Sequence, residues 1–189
     1  MAKILNFAYE LTPEWSLVAV AKCGSTMIDR NLEGKYPKYG AKHELSTKGA
    51  IIIVRNPLDR LLSYYRDFVV RGGKLPTNHY VLMDGIGLRP SLDSLAKAII
   101  RTPDDARDPH FCSYGRYTAC AEIVRPVALE SLSETWPKDV PMPFDPSKKV
   151  RTTEDKGERM SPEVQEAWED AYQADFLLWE EAIAELEDE

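Results

Sequence analysis

Cysteine is scarce: only Cys23, Cys112 and Cys120 occur among 189 residues. A small, odd number gives no disulfide framework and points to a reducing, cytoplasmic setting. Long apolar runs are lacking too. The longest, Trp15 to Ala21, already contains Ser16, well short of the roughly 18 to 20 residues of a membrane helix. The N-terminus carries one lysine and no apolar stretch of signal-peptide length, so neither a spanning segment nor a secretion signal is expected. The three histidines show no metal-ligand spacing, and no metal is expected. Internal repeats and low-complexity tracts are absent. Basic residues are outnumbered, 24 against 31 acidic, for a net charge of -7 and a pI of about 5.1. In bulk, that balance argues against a nucleic-acid binder held by general electrostatics.

What is present is the composition of a soluble globular protein, 43% hydrophobic and 29% charged. The length suits one domain, residues 1–189, with a sizeable core. Leu17 to Ala21 is a short continuous apolar run that suits a strand buried on both faces. It leads into Lys22-Cys23-Gly24-Ser25-Thr26, then into Met27, Ile28 and Leu32 at helical spacing, with Gly34 as the stop. Ala50 to Val54 is a second buried strand, rich in β-branched residues. Asn56 caps the helix that follows, Pro57 opens it, and it runs to Gly72-Gly73. Two strand-to-helix units predict an α/β fold, with a central parallel sheet flanked by helices.

Leu75 to Pro90 reads as an irregular insertion, Ser91 to Arg101 as a helix, and Arg101 to Tyr117 as a polar loop. Glu122 to Leu129 is a third strand, and Pro126 places it at an edge. Trp136 to Ser147 holds four prolines and is extended or turning. A final helix is capped by Ser161, opened by Pro162, and striped by Val164, Trp168, Ala171, Tyr172, Trp179, Ile183 and Leu186.

A strand that ends in a glycine turn and opens a helix presents free backbone N–H groups, an anion site reinforced by the helix dipole. Lys22 adds a charge, and Ser25 and Thr26 add hydroxyls. The triphosphatase loop G-x-x-x-x-G-K-[ST] is not there, so the loop suits a single phosphate or phosphosulfate. Cys23 at this position reads as a small loop residue or, alternatively, an activated thiolate. A cysteine phosphatase needs Arg six residues on, whereas Arg30 comes seven on. Arg55, at the C-terminal end of the second strand, lies where ligands of open α/β sheets bind. With Ser63 on the next helix it offers a guanidinium fork and a hydroxyl to one phosphate.

Together, Lys-x-Gly-Ser-Thr after one strand and Val-Arg-Asn-Pro-x-x-Arg-x-x-Ser-Tyr-Tyr after another resemble the sulfotransferases that use 3′-phosphoadenosine 5′-phosphosulfate (PAPS). The resemblance implies a P-loop-like, three-layer α/β fold and transfer of a sulfuryl group to a hydroxyl acceptor, a carbohydrate or small metabolite. Adenosine 3′,5′-bisphosphate (PAP) would be the product. It assigns Lys22, Cys23, Gly24, Ser25 and Thr26 to the 5′ end of the donor, and Arg55 and Ser63 to its 3′-phosphate. Arg60 would be structural or supporting. The stretch Lys149 to Thr153 and the helix with Tyr172, Asp175 and Phe176 resemble the closing segment of the glycan, uronyl 2-O-type branch. That likeness assigns Arg151 and Thr153 to the cofactor, beside the plain reading of a solvated basic linker.

Sulfuryl transfer needs an in-line acceptor, a neutralised leaving phosphate and a base for the acceptor's proton. Lys22 and the loop N–H groups serve the second need. For the base, His43, before the second strand, is the first candidate and His110 the next, both from family position. Glu33 and Glu44 stay open. Two other functions compete: a nucleotide or small-molecule kinase, and a non-catalytic PAP- or PAPS-binding module. Oligomeric state is not legible, and neither nucleic acid nor membrane is an expected partner. The charge is uneven: residues 154–189 carry a net of -12, and residues 1–153 a net of +5. The part holding both phosphate motifs is therefore basic.

Overall fold

The computed structural model describes residues 6–41, 43–45, 47–72, 87, 89–145 and 157–184. Five strands form one mixed sheet: β1 (Phe7–Glu10), β2 (Trp15–Ala19), β3 (Lys38–Tyr39), β4 (Gly49–Val54) and β5 (Ile123–Ala128). Their order is β3-β1-β2-β4-β5. Strands β2, β4 and β5 run parallel, while β1 is antiparallel to both β2 and β3. The helices are α1 (Ser25–Leu32), α2 (Pro57–Tyr64), α3 (Leu92–Arg101), α4 (Tyr114–Thr118), α5 (Pro162–Ala171) and α6 (Gln173–Ala184).

The α/β class expected from two strand-to-helix units is what forms, but the sheet is not purely parallel. β1 and β2 form an antiparallel hairpin that the sequence does not announce, because Phe7–Glu10 is only four residues long. β4 is buried along its whole length, because β2 and β5 cover its edges and helices cover its faces. Pro126 lies in β5, at the sheet edge, where a missing N–H breaks no ladder.

Other expectations need correction. Arg101 to Tyr117 is no mere loop: it holds a 3₁₀ turn at Asp104–Ala106 and the start of α4. The last helix breaks at Tyr172, giving α5 and α6, because Tyr172 leaves helical geometry (φ -118°, ψ 20°). Val164, Trp168 and Tyr172 are buried as expected, but Ala171 is exposed. Ser161 stands at the N-cap without a side-chain cap bond, and its backbone N–H donates to Asp93 Oδ1 at 3.0 Å instead. Leu186 and most of the Leu75 to Pro90 insertion lie outside the described residues.

Two apolar clusters fill the interior. One joins the sheet to α1, α4 and α6 and includes Val18, Ile28, Leu32, Ile52 and Ala182. The other joins α2, α3 and α5 through Leu61, Tyr64, Leu95, Ile99, Val164 and Trp168. Among the described residues, no helix is long and apolar enough to cross a membrane.

Gly49 opens β4 because a side chain has no room there. A Cβ would come within 2.5 Å of the Trp15 ring and 3.0 Å of the Glu14 carbonyl oxygen. The Trp15 ring is itself covered by Arg125, 4.1 Å from its centroid. Gly49→Ala is therefore expected to cost about 1–3 kcal/mol by overpacking. A lowered urea midpoint with an unchanged m-value is the expected result; an unchanged midpoint would contradict the clash.

Candidate active site

The chain leaves β2 at Ala19 and turns through Val20 to Gly24 into α1. The turn is tight because two of its residues are left-handed, Lys22 (φ 66°) and Gly24 (φ 79°). Glycine meets that demand at Gly24 without strain. Lys22 is the one non-glycine residue with positive φ among the described residues, a conformation that costs about 1–3 kcal/mol and collects at functional sites. Gly24 is the N-cap, and no side chain caps α1. The first intrahelical bond is Ile28 N–H to the Gly24 carbonyl, at 2.9 Å. The N–H groups of Ser25, Thr26 and Met27 thus precede the ladder and point along the positive end of the helix dipole.

The second turn follows β4, the parallel neighbour of β2. Arg55 leaves the strand, and Asn56 Oδ1 caps α2 by accepting from Leu58 N–H at 2.9 Å and Asp59 N–H at 3.4 Å. Adjacent parallel strands bring both turns to one edge of the sheet, their C-terminal end. Arg55 Nε lies 3.8 Å from Glu130 Oε1. Ser63 lies two turns along α2 and is half-buried.

Three buried side chains fix the two turns against each other. Arg60 of α2 donates from Nε to the Ala21 carbonyl at 3.2 Å, inside the first turn. Its other nitrogens donate to the carbonyls of Cys112 (3.0 Å) and Pro109 (3.1 Å). This is the structural part expected of Arg60. Tyr117 Oη accepts from Ala21 N–H at 3.2 Å and donates to the Pro109 carbonyl at 2.5 Å. Tyr114 Oη accepts from Arg55 N–H at 3.0 Å and donates to the Arg55 carbonyl at 2.6 Å. The two tyrosines are three apart on α4, so one helix face pins both turns.

The side chains near Lys22 form a compact cluster. Lys22 Nζ lies 2.6 Å from Asp67 Oδ2 and 4.5 Å from the centre of the Phe68 ring. Asp67 and Phe68 belong to a π-helical segment, Tyr65–Val70, that continues α2. Such segments are rare and frequent at functional sites. The His110 ring packs 5.7 Å from the centres of both Phe68 and Tyr64. His110 Nδ1 lies 2.6 Å from Asp108 Oδ1, which also accepts from the His110 backbone N–H at 2.9 Å. A carboxylate partner places the proton on Nδ1 and leaves Nε2 as the basic nitrogen. His110 also lines a small cleft with Pro57, Arg60, Leu61, Phe111, Trp168 and Tyr172.

His43 is exposed on the segment before β4, and its backbone N–H bonds the Gly40 carbonyl at 3.3 Å. Glu33 and Glu44 are exposed. Arg151 and Thr153 lie outside the described residues. Of the two readings of Cys23, the structure favours the small loop residue over the activated thiolate. Its thiol is buried, 3.5 Å from Tyr114 Oη, and its N–H bonds the Val20 carbonyl. Burial pushes the thiol's pKa up, the opposite of an activated thiolate. Of the residues around the site, Asp67, Asp108, Tyr114 and Tyr117 were not foreseen. The i, i+3 tyrosine pair was the available signal for α4.

The sequence comparison meets this geometry directly. Residues 16–107 match the family model described as Sulfotransferase family. The matched segment spans just under half of the chain and contains most of β2, all of β4, α1 and α2, and the turns after both strands. It supports a sulfotransferase-type transferase. No curated protein and no solved structure matches the chain.

Asp175 supplies a pH-dependent element behind the site. It is buried at the start of α6, accepts from Tyr114 N–H at 2.9 Å, and lies 3.8 Å from Arg60. Burial raises its pKa to about 6 from the ordinary 3.8, against the pull of Arg60. Between those values the folded chain holds a proton that the unfolded chain has lost, so this group's contribution to stability falls as pH rises from about 4 to about 6. Urea unfolding across that range is expected to show the wild type losing stability relative to Asp175→Asn as pH rises. A pH-independent difference would contradict the assignment.

Proposed function

We propose that the chain is a PAPS-dependent sulfotransferase with a P-loop-like donor site and a hydroxyl acceptor. The observation that carries this reading is the joining of two phosphate-type turns on neighbouring parallel strands, locked together by Arg60. The residues present fit such a donor. The uncapped start of α1 and Lys22 offer donors and charge to the 5′ end, and Ser25 and Thr26 add hydroxyls. Arg55 and Ser63 are assigned to the 3′-phosphate. The donor supplies the sulfuryl group. Lys22 neutralises the negative charge left on the departing phosphate oxygen.

His110 is the better-supported base, because Asp108 orients it and its ring packs on Phe68, the ring that Lys22 also contacts. Its Nε2 takes the proton from the acceptor hydroxyl as that oxygen bonds to sulfur. His43 has no such carboxylate partner among the contacts described. The acceptor is a carbohydrate or small metabolite, and the chain acts as one domain in a cytoplasmic setting.

Transfer of labelled sulfate from PAPS to a panel of glycans, phenols and alcohols tests the reading. His110→Ala is expected to lower kcat by about 10²–10⁴-fold while PAP binding persists, and His43→Ala to keep most activity. Arg55→Ala is expected to weaken PAP binding. Loss of transfer in His43→Ala with activity kept in His110→Ala would move the base to His43. PAP binding without turnover on any acceptor would favour a non-catalytic module.

A further inference from the structure

The ammonium group assigned to the donor already has a carboxylate beside it. Asp67 divides its two oxygens between cations: Oδ2 lies 2.6 Å from Lys22, and Oδ1 lies 3.0 Å from Arg71. Lys22 is mostly buried, with 14% of its side chain exposed, while Asp67 is 41% exposed. The Lys22 backbone is left-handed, and its Nζ rests on the Phe68 ring, so the side chain is held in this place from three directions. A phosphosulfate that takes Lys22 competes with Asp67 for its charge and brings a second anion beside the carboxylate. Arg71, one turn further along, is a second partner for the carboxylate once Lys22 is drawn away.

We propose that Asp67 is the resident counter-ion of Lys22, that an anionic donor must displace it, and that Arg71 retains the released carboxylate. The inference rests on the reading that the Lys22 turn holds the donor's 5′ end. Asp67 is thus a positioning residue that sets donor affinity by holding Lys22 in reserve.

Calorimetry of the full chain with PAP tests this. Asp67→Asn keeps the shape and removes the charge at a partly exposed site. It is expected to bind PAP about fivefold more tightly, the worth of a good partly exposed ion pair. The gain must pass through Lys22. In a Lys22→Met background, Asp67→Asn is expected to change affinity by less than about twofold, since the coupled partner is gone. Unchanged or weaker binding in Asp67→Asn overturns the proposal. So does an equal gain in the Lys22→Met background, which would mean a general charge effect. If Lys22→Met binds PAP as tightly as the wild type, the donor-site reading falls too, and that result separates the two failures.

Discussion

Arg60 carries a full charge that is almost wholly removed from water. Such a charge is tolerated only when hydrogen bonds and a counter-charge replace its hydration. Three carbonyls, from Ala21, Pro109 and Cys112, and the Asp175 carboxylate fill that need. The Tyr114 ring lies 4.9 Å from the guanidinium carbon. These partners come from the turn after β2, the His110 loop, α4 and α6. One desolvated cation therefore imposes the relative placement of segments far apart in sequence. The buried pair is weak support for net stability but strong support for a single geometry, since any other arrangement would strand a buried charge.

The tyrosines of α4 extend that constraint to the backbone. Tyr117 satisfies Ala21 N–H, and Tyr114 satisfies both backbone groups of Arg55. These groups sit where β2 and β4 have ended and the sheet ladder no longer pairs them. Burial without partners would cost more than the bonds gain. The same bonds fix where each turn begins, and so where Lys22 and Arg55 emerge. Tyr172 donates to the Phe111 carbonyl and stacks on Trp168, which braces the His110 loop from behind. Lys22 and His110 thus pack against aromatic rings that leave them few alternative positions.

The parts of this arrangement that sequence reveals are those with local causes. β4 is visible because Ile51, Ile52, Ile53 and Val54 are consecutive and buried on both faces. α2 is visible because Asn56 and Pro57 cap and open it. The turn after β2 is visible because lysine, glycine and hydroxyl residues follow the strand directly, and the turn after β4 because Arg55, Asn56 and Pro57 do. What stays hidden depends on distant contacts. Asp108 and His110 gain meaning only when Phe68 and Tyr64 pack against the ring. The Lys22–Asp67 pair spans 45 positions. The break at Tyr172 follows from tertiary packing, since the α5 and α6 sequences read as one helix. The bulk acidity also resolves locally: Glu163, Glu166, Glu169, Asp170, Glu180 and Glu181 are exposed on α5 and α6, whereas Asp175 is the buried exception.

In the proposed function the two turns form one donor site with His110 beside it. A crystal structure with adenosine 3′,5′-bisphosphate bound tests it most directly. The account predicts the 5′-phosphate on the Lys22 to Thr26 turn, the 3′-phosphate against Arg55 and Ser63, and His110 facing the side where an acceptor would enter. A bisphosphate bound away from both turns, or one that touches neither Lys22 nor Arg55, would contradict it.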